Sequence, residues 1–219
     1  MMLYERGLFA LDEPISKHAP CFAKMKVAVG GQYPSIQTED ATTAITFQHL
    51  LTHTSGFTYG FVPDEFGLHS LYESQGIQFT SLEAKGVVRN DTLETVCKRL
   101  AALPLLFQPG SKWSYGVSTD VVGYLVEILS GMPFEKFVKE QILDPLGMVD
   151  TDFYVPPEKR DRFAACYAFD QQGALKINES GFATGGAYKL LNDMPAWYRL
   201  PAGLASGGGG LVSTITDYL

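Results

Sequence analysis

The chain of 219 residues is poor in several things, and each shortage narrows the field. Cysteine is scarce: Cys21, Cys97 and Cys166 are odd in number and share no short spacing. That argues against a disulfide framework and against a zinc site, and it favours a reducing compartment, so the cytoplasm is the expected location. No apolar run approaches the roughly 18 residues of a membrane-spanning helix, and no membrane partner is expected. Basic residues are outnumbered, 17 Lys plus Arg against 24 Asp plus Glu, for a net charge of −7. Without a basic run there is no groove for nucleic acid and no patch for an anionic membrane. Internal repeats are missing, as are low-complexity tracts beyond Gly207–Gly210. Histidine is confined to His18, His49, His53 and His69. The opening MMLYERGL lacks the basic start and small-residue cleavage site of a secretory signal.

What is present suits a packed globular chain. Apolar residues make up 46% and charged ones 19%, enough for a core and too apolar for disorder. The length fits one ordinary domain or a cramped pair. Residues 1–6 read as the last turns of a helix stopped by Gly7, and Ser213 or Thr214 opens a helix that the chain leaves at Leu219, so both ends read as cut rather than finished. Residues 9–45 read as loop with at most one short strand. Thr46 caps a short helix closed by Ser55-Gly56, and a further short helix is expected around residues 63–74. Leu93, Val96, Cys97, Leu100 and Leu103 form one apolar stripe ended by Pro104. Asp120–Ser130 predicts a helix with Val121, Val122, Leu125, Ile128 and Leu129 inward, stopped by Gly131. Pro133 begins another, using Phe134, Phe137, Val138 and Ile142, ended by Pro145 and Gly147. Residues 162–169 and 174–177 flank Asp170-Gln171-Gln172-Gly173 as a hairpin, and residues 178–210 read as Gly-rich loop.

Residues that could carry chemistry are few. Ser118, in Gly116-Val117-Ser118-Thr119-Asp120, is a near-match to a nucleophile elbow, but the last Gly is missing and that triad needs a His downstream. With every His at or before residue 69, Ser118 reads as part of a helix cap. His49 and His53 stand four apart on one helix face, but a zinc protease needs Glu where Leu50 stands. They read as caps of helix and loop backbone, with metal ligation as the rival. Gly207–Gly210 is followed by Leu211, not the Lys of a phosphate loop, and reads as backbone running close to a neighbouring element or pocket. Phe57, Tyr59, Phe61 and Phe66 are either core or a ligand box.

Several segments gain meaning together. Leu50-Leu51-Thr52-His53-Thr54-Ser55-Gly56-Phe57, Phe107-Gln108-Pro109-Gly110-Ser111-Lys112-Trp113-Ser114-Tyr115, Asp144–Phe153 and Gly207–Thr214 follow in order, with Glu5–Asp12 ahead of them. This series resembles the serine β-lactamase and penicillin-binding-protein superfamily, more narrowly its class C-like branch of carboxylesterases and acyltransferases. The resemblance implies an α+β fold: an α/β sandwich with an inserted helical domain and the active site in the crevice between them. Residues 1–45 would be the tail of the catalytic helix with connecting loops, residues 46–150 the helical domain, and residues 151–219 a hairpin and Gly-rich return toward the α/β domain. The chain would then be mostly the helical domain, with the main sheet largely missing and an apolar face left bare.

In that family a Ser attacks an acyl carbonyl, a Lys three residues later helps take its proton, and a Tyr from the helical domain completes the relay. Tyr115 matches that Tyr. The need is physical: a Ser hydroxyl is a weak nucleophile until a base lies within hydrogen-bond reach, and a phenol is a useful base only where nearby cations stabilise its phenolate. Tyr59 is placed by the resemblance at the acyl pocket, with Gly207 and Gly208 in the substrate wall. No cofactor and no metal are implied, and the expected partner is a small-molecule ester or acyl substrate; nothing sets an oligomeric state.

The departures are as informative. No Ser in the chain has Lys three positions later, so the Ser-x-x-Lys pair is expected upstream of Met1. The strand with a Lys-, His- or Trp-led Gly pair is expected after Leu219. Members of such a catalytic unit act non-additively, so this chain by itself is expected to be inactive. Class C β-lactamases carry Asn two positions after the relay Tyr to hold the lactam side chain; here that position is Val117. Losing that amide favours ester or acyl-transfer chemistry over lactam hydrolysis. The rival readings are a non-catalytic binding protein that discarded the nucleophile, and a β-lactamase or D-Ala-D-Ala peptidase.

Overall fold

The computed structural model describes residues 1–77, 91–164 and 204–219, together with the backbone of residues 167–169 and 175–177. A helix spanning Ser118–Ser130 (α5) is the hub. Packed on it are α1 (Met2–Glu5), α2 (Phe47–Leu51), α4 (Leu93–Leu100) and α6 (Phe134–Val138). A short α3 (Leu68–Ser74) lies between α2 and α4 in sequence, and α8 (Ile215–Tyr218) ends the chain. Val121 and Leu125 face the core at 0% and 1% exposure, but Ile128, expected inward, is 37% exposed. The apolar stripe is thus narrower than five residues, and Gly123 keeps one side low, within ordinary contact distance of Leu93 and Phe134. α5 also begins two residues before the expected Asp120, because Ser118 is buried under the preceding loop and drawn into the first turn.

The capping signals behave as their chemistry predicts. Thr46 accepts from the His49 amide at 3.2 Å, and the His49 ring nitrogen accepts from the Thr46 amide at 3.3 Å, closing a reciprocal cap on α2. Thr92 and Thr95 repeat the device on α4, whose Leu93, Val96, Cys97 and Leu100 are all buried. Helix α4 stops at Leu100, leaving Leu103 half-buried beyond its end. Thr214 accepts from the Asp217 amide at 3.1 Å and caps α8. Gly7 sits at φ +72° after α1, the left-handed stop expected there. Beyond α6 the chain widens into a π turn, Lys139–Leu143, and then one helical turn, Asp144–Leu146 (α7). Pro145 therefore starts that last turn instead of ending the helix, and Gly147 at φ +69° is the true stop.

Residues 9–45 hold more structure than a loop with one strand. Lys26–Gly30 (β1) and Gln37–Asp40 (β2) pair antiparallel, with Lys26 opposite Asp40 and an irregularity between Ala28 and Gly30. Leu105 lies along β1 as well, exchanging two backbone hydrogen bonds with Lys26 and Ala28 at 2.7 and 2.9 Å. The expected hairpin is present as Tyr167–Phe169 (β3) against Leu175–Ile177 (β4), with its turn outside the described residues. Most of the Gly-rich 178–210 segment also lies outside them. Among the described residues the only sheets are these two-stranded ones. No helix of the described residues is long and apolar enough to cross a membrane.

An apolar hollow of about 490 Å³ opens beside α5, lined by Met2, Phe9, Leu51, Val126 and Leu129 with α6 on the far side. Leu51 and Leu211, both in its lining, are each 43% exposed.

Candidate active site

Two sequence segments interlock to hold Tyr115. The Leu106 amide donates to the Gly56 carbonyl at 2.8 Å, Gly110 to Thr54 at 2.8 Å, Ser114 to His53 at 3.0 Å and Val117 to Thr58 at 3.3 Å. Beneath this seam the Ser55 and Ser118 hydroxyls meet at 2.8 Å, both fully buried. Ser118 is therefore a rivet between loop and helix, not a helix cap, and its hydroxyl is sealed from any substrate. Gly116 permits the seam to close: a β-carbon there would stand 2.5 Å from the Phe57 carbonyl oxygen. Val117, one residue on, is turned into the core at 1% exposure, so it lines no pocket and supplies no amide.

Tyr115 emerges from this seam 46% exposed. Its ring lies 5.1 Å from Tyr59 and 5.3 Å from His53, centroid to centroid. Trp113 continues the row beyond His53 at 6.3 Å, and Phe61 stacks on Tyr59 at 4.7 Å. The aromatic cluster thus divides: Phe57 is core at 1% exposure, whereas Phe61 is 57% exposed beside Tyr59. His53 departs from the expected capping role. Its backbone is left-handed at φ +54°, unusual for a non-glycine residue, and its Nδ1 is buried without a hydrogen-bond partner among the described residues. Burial holds its imidazole below its usual pKa, so it stands beside Tyr115 as a neutral ring. His49 is the one that caps.

Gly207 and Gly208 come to the same place from the far end of the chain. A β-carbon on Gly207 would lie 2.3 Å from the Thr119 carbonyl oxygen, so this segment crosses the start of α5 at a distance only glycine allows. One on Gly208 would meet Asp120 Oδ2 and the Tyr59 hydroxyl, each at 2.8 Å, and Thr119 Oγ1 at 3.1 Å. Asp120, which the sequence reading passed over, is the anchor. Its Oδ1 accepts from Ser206 Oγ at 2.6 Å and from the Gly208 amide at 3.1 Å, at 1% exposure. Burial pushes its carboxyl up to about 6 against the pull of Ser206, Gly208, Gly207 and Tyr59, which all favour the charge. Tyr59 is pushed well above a normal phenol, first by burial, then by the Asp120 charge and by Tyr115. It is a permanent proton donor at ordinary pH.

Of the residues the sequence singled out, Tyr115, Tyr59, Gly207 and Gly208 are neighbours in space, joined through Asp120 and Thr119. Asp120 gave little sign of itself: an acid in a first helical turn is commonplace as a complement to the helix dipole. Among the described residues there is no cluster of three or more His, Cys, Asp or Glu able to hold a metal ion.

A family model described as "Beta-lactamase" matches residues 1–219. Esterase EstB of Burkholderia gladioli is 31% identical over all of this chain and 51% of its own length. Protein Rv1367c of Mycobacterium tuberculosis is 32% identical, again over all of this chain and 48% of its own. Among solved structures, simvastatin synthase (LovD) of Aspergillus terreus superposes with a TM-score of 0.69 at 28% identity, covering 99% of this chain and 48% of that one. The chain therefore spans about half the length of the relatives it matches. Such neighbours give it the β-lactamase/transpeptidase-like fold, of which the described residues hold the helical part and little sheet. With ordered motifs, superposable helices and a full-length match all in agreement, this chain belongs to the beta-lactamase family.

Proposed function

We propose that this chain is the Tyr-bearing portion of a serine esterase or acyltransferase, with Tyr115 as the proton relay. The observation that carries the reading is the position of Tyr115: half-exposed, fixed by a backbone seam on both sides, and beside Tyr59 and the Gly207–Gly208 segment. A serine hydroxyl supplied from outside residues 1–219 attacks the acyl carbonyl carbon while its proton passes to the Tyr115 oxygen, whose own proton moves on to the amine of the Ser-x-x-Lys lysine and comes back when the leaving group departs. The bond from that carbon to the leaving alcohol then breaks, and Tyr115 returns the proton to the departing oxygen. Water or an acceptor alcohol repeats the cycle on the acyl-serine, giving hydrolysis or acyl transfer. Tyr59 lines the acyl side, and Gly207 and Gly208 continue that wall beside it. In this reading residues 46–150 are the helical domain, flanked by the tail of the catalytic helix and by the Gly-rich return.

Esterase EstB, whose name denotes ester cleavage, favours a small-molecule ester or acyl substrate, and the missing amide at Val117 points away from lactams. Cys21 and Cys97 are free thiols, which suits the cytoplasm. Lacking any Ser-x-x-Lys, the 219-residue chain is inactive by itself. The test is turnover of p-nitrophenyl butyrate and of a chromogenic cephalosporin by this chain and by a longer natural form bearing Ser-x-x-Lys. Ester turnover by the longer form alone supports the reading. Cephalosporin turnover would reassign it to lactam hydrolysis, and silence from both forms would favour a binding role.

A further inference from the structure

Asp120 is a buried carboxylate without a cationic partner among the described residues. Its Oδ1 is fully used by Ser206 Oγ and the Gly208 amide, and the same Ser206 oxygen accepts from that amide at 3.1 Å. Its Oδ2 is buried and makes no hydrogen bond of ordinary geometry. Such an oxygen is costly to keep, and a site that keeps one has a use for it or a strain to explain. The groups that face Asp120 come from four directions. Tyr59 approaches from the loop after α2, and Thr119 from the same turn of α5. The 206–208 segment lies across it, and Cys97 sits behind on α4, its thiol raised by burial and further by the Asp120 charge among its acidic neighbours. The only one of these that also touches the Tyr115 ring is Tyr59.

Resting on the proposed relay role of Tyr115, we infer that Asp120 is a positioning residue for it, acting through Tyr59. One carboxylate oxygen clamps the Gly-rich segment. The other presents charge to the side of Gly208 where the Tyr59 hydroxyl lies, so the second phenol is ordered against the first. Tyr59 stays protonated there, because burial and the Asp120 charge both oppose its ionisation. A protonated phenol beside the relay oxygen is a fixed donor for the charge that Tyr115 carries when it acts as base. Protonating Asp120 removes the charge that orders this pair, and that occurs near pH 6, to which burial pushes its carboxyl.

The experiment is tyrosine ring-carbon (13Cζ) NMR on the 219-residue chain between pH 4.5 and 8, with Tyr59 and Tyr115 assigned by Tyr→Phe replacement. The expected result is a titration step common to both signals with its midpoint near 6. Asp120→Asn retains an acceptor for Ser206 and Gly208, so Gly208 amide signals stay in place while both tyrosine steps vanish. Tyr59→Phe erases the step at Tyr115. A purely structural Asp120 would move the Gly208 amide and leave Tyr115 flat. With His53→Gln in every sample, to remove the imidazole that titrates beside Tyr115, a flat Tyr115, or a step that survives either replacement, overturns the inference; if Asp120→Asn does not fold, the Asp120 parent and Tyr59→Phe decide it. No turnover is measured, so loss of the relay role in an ester assay would leave this coupling standing, and loss of the coupling would leave the ester chemistry standing.

Discussion

A single hydrogen at position 116 decides whether the two segments that carry Tyr115 can meet. Any side chain there drives into the Phe57 carbonyl, 2.5 Å from the β-carbon position, and backbone is slow to yield. Gly116→Ala is expected to cost about 2–3 kcal/mol or more, by overpacking, read as a lowered denaturation midpoint. Asp120 sets a second residue-scale expectation, and its sign follows from burial. Its carboxyl is raised in the folded chain, to about 6, so the folded state holds the proton more tightly than the unfolded one. Its contribution to stability is complete below the unfolded value near 4 and is lost as pH rises through about 6. Relative to Asp120→Asn, the parent chain should lose roughly 2–3 kcal/mol between pH 4 and pH 7, compared by urea unfolding at both. Differencing against the variant cancels Asp150 and Asp64, whose lowered carboxyls push the other way. Tyr115 could be singled out in the sequence because a specific run of residues surrounds it. Asp120 was not, because its importance lies in what it touches 86 and 88 residues later, at Ser206 and Gly208.

At the scale of elements, periodicity read well where one face is buried and poorly where none is. Helix α4 has four of the five stripe residues sealed within it, with Leu103 beyond its end, and its existence and orientation followed from spacing alone. Strand β2 reads Gln-Thr-Glu-Asp with every residue exposed, so it offers no alternation to detect and is held through its ladder with β1. The rotation of α5 lies between these cases. Leu125→Ala should cost about 2–5 kcal/mol by opening a cavity, and Ile128→Ala, at 37% exposure, under about 1 kcal/mol. Equal effects in thermal unfolding would mean that the helix is turned otherwise. The α2 cap is also separable: Thr46→Ala removes one half of a reciprocal pair and should lower stability by about 1 kcal/mol.

For the molecule as a whole, chemistry and packing point the same way. The hollow beside α5 and the exposed Leu51 and Leu211 present apolar surface of a kind that soluble domains bury, and the chain matches about half the length of its relatives. The family was legible because the motifs present are short, follow in order and span almost the whole of residues 1–219. The proposed active arrangement was legible only in part, since a proton relay has meaning only beside a nucleophile, and no Ser of residues 1–219 has Lys three positions later. The most direct test is therefore made where both are present: kcat for p-nitrophenyl butyrate in the longer Ser-x-x-Lys form, with and without Tyr115→Phe. A loss of about 10²–10⁴-fold with unchanged thermal unfolding is the predicted result, the range for removing a general base. An unchanged kcat would contradict the assignment of Tyr115.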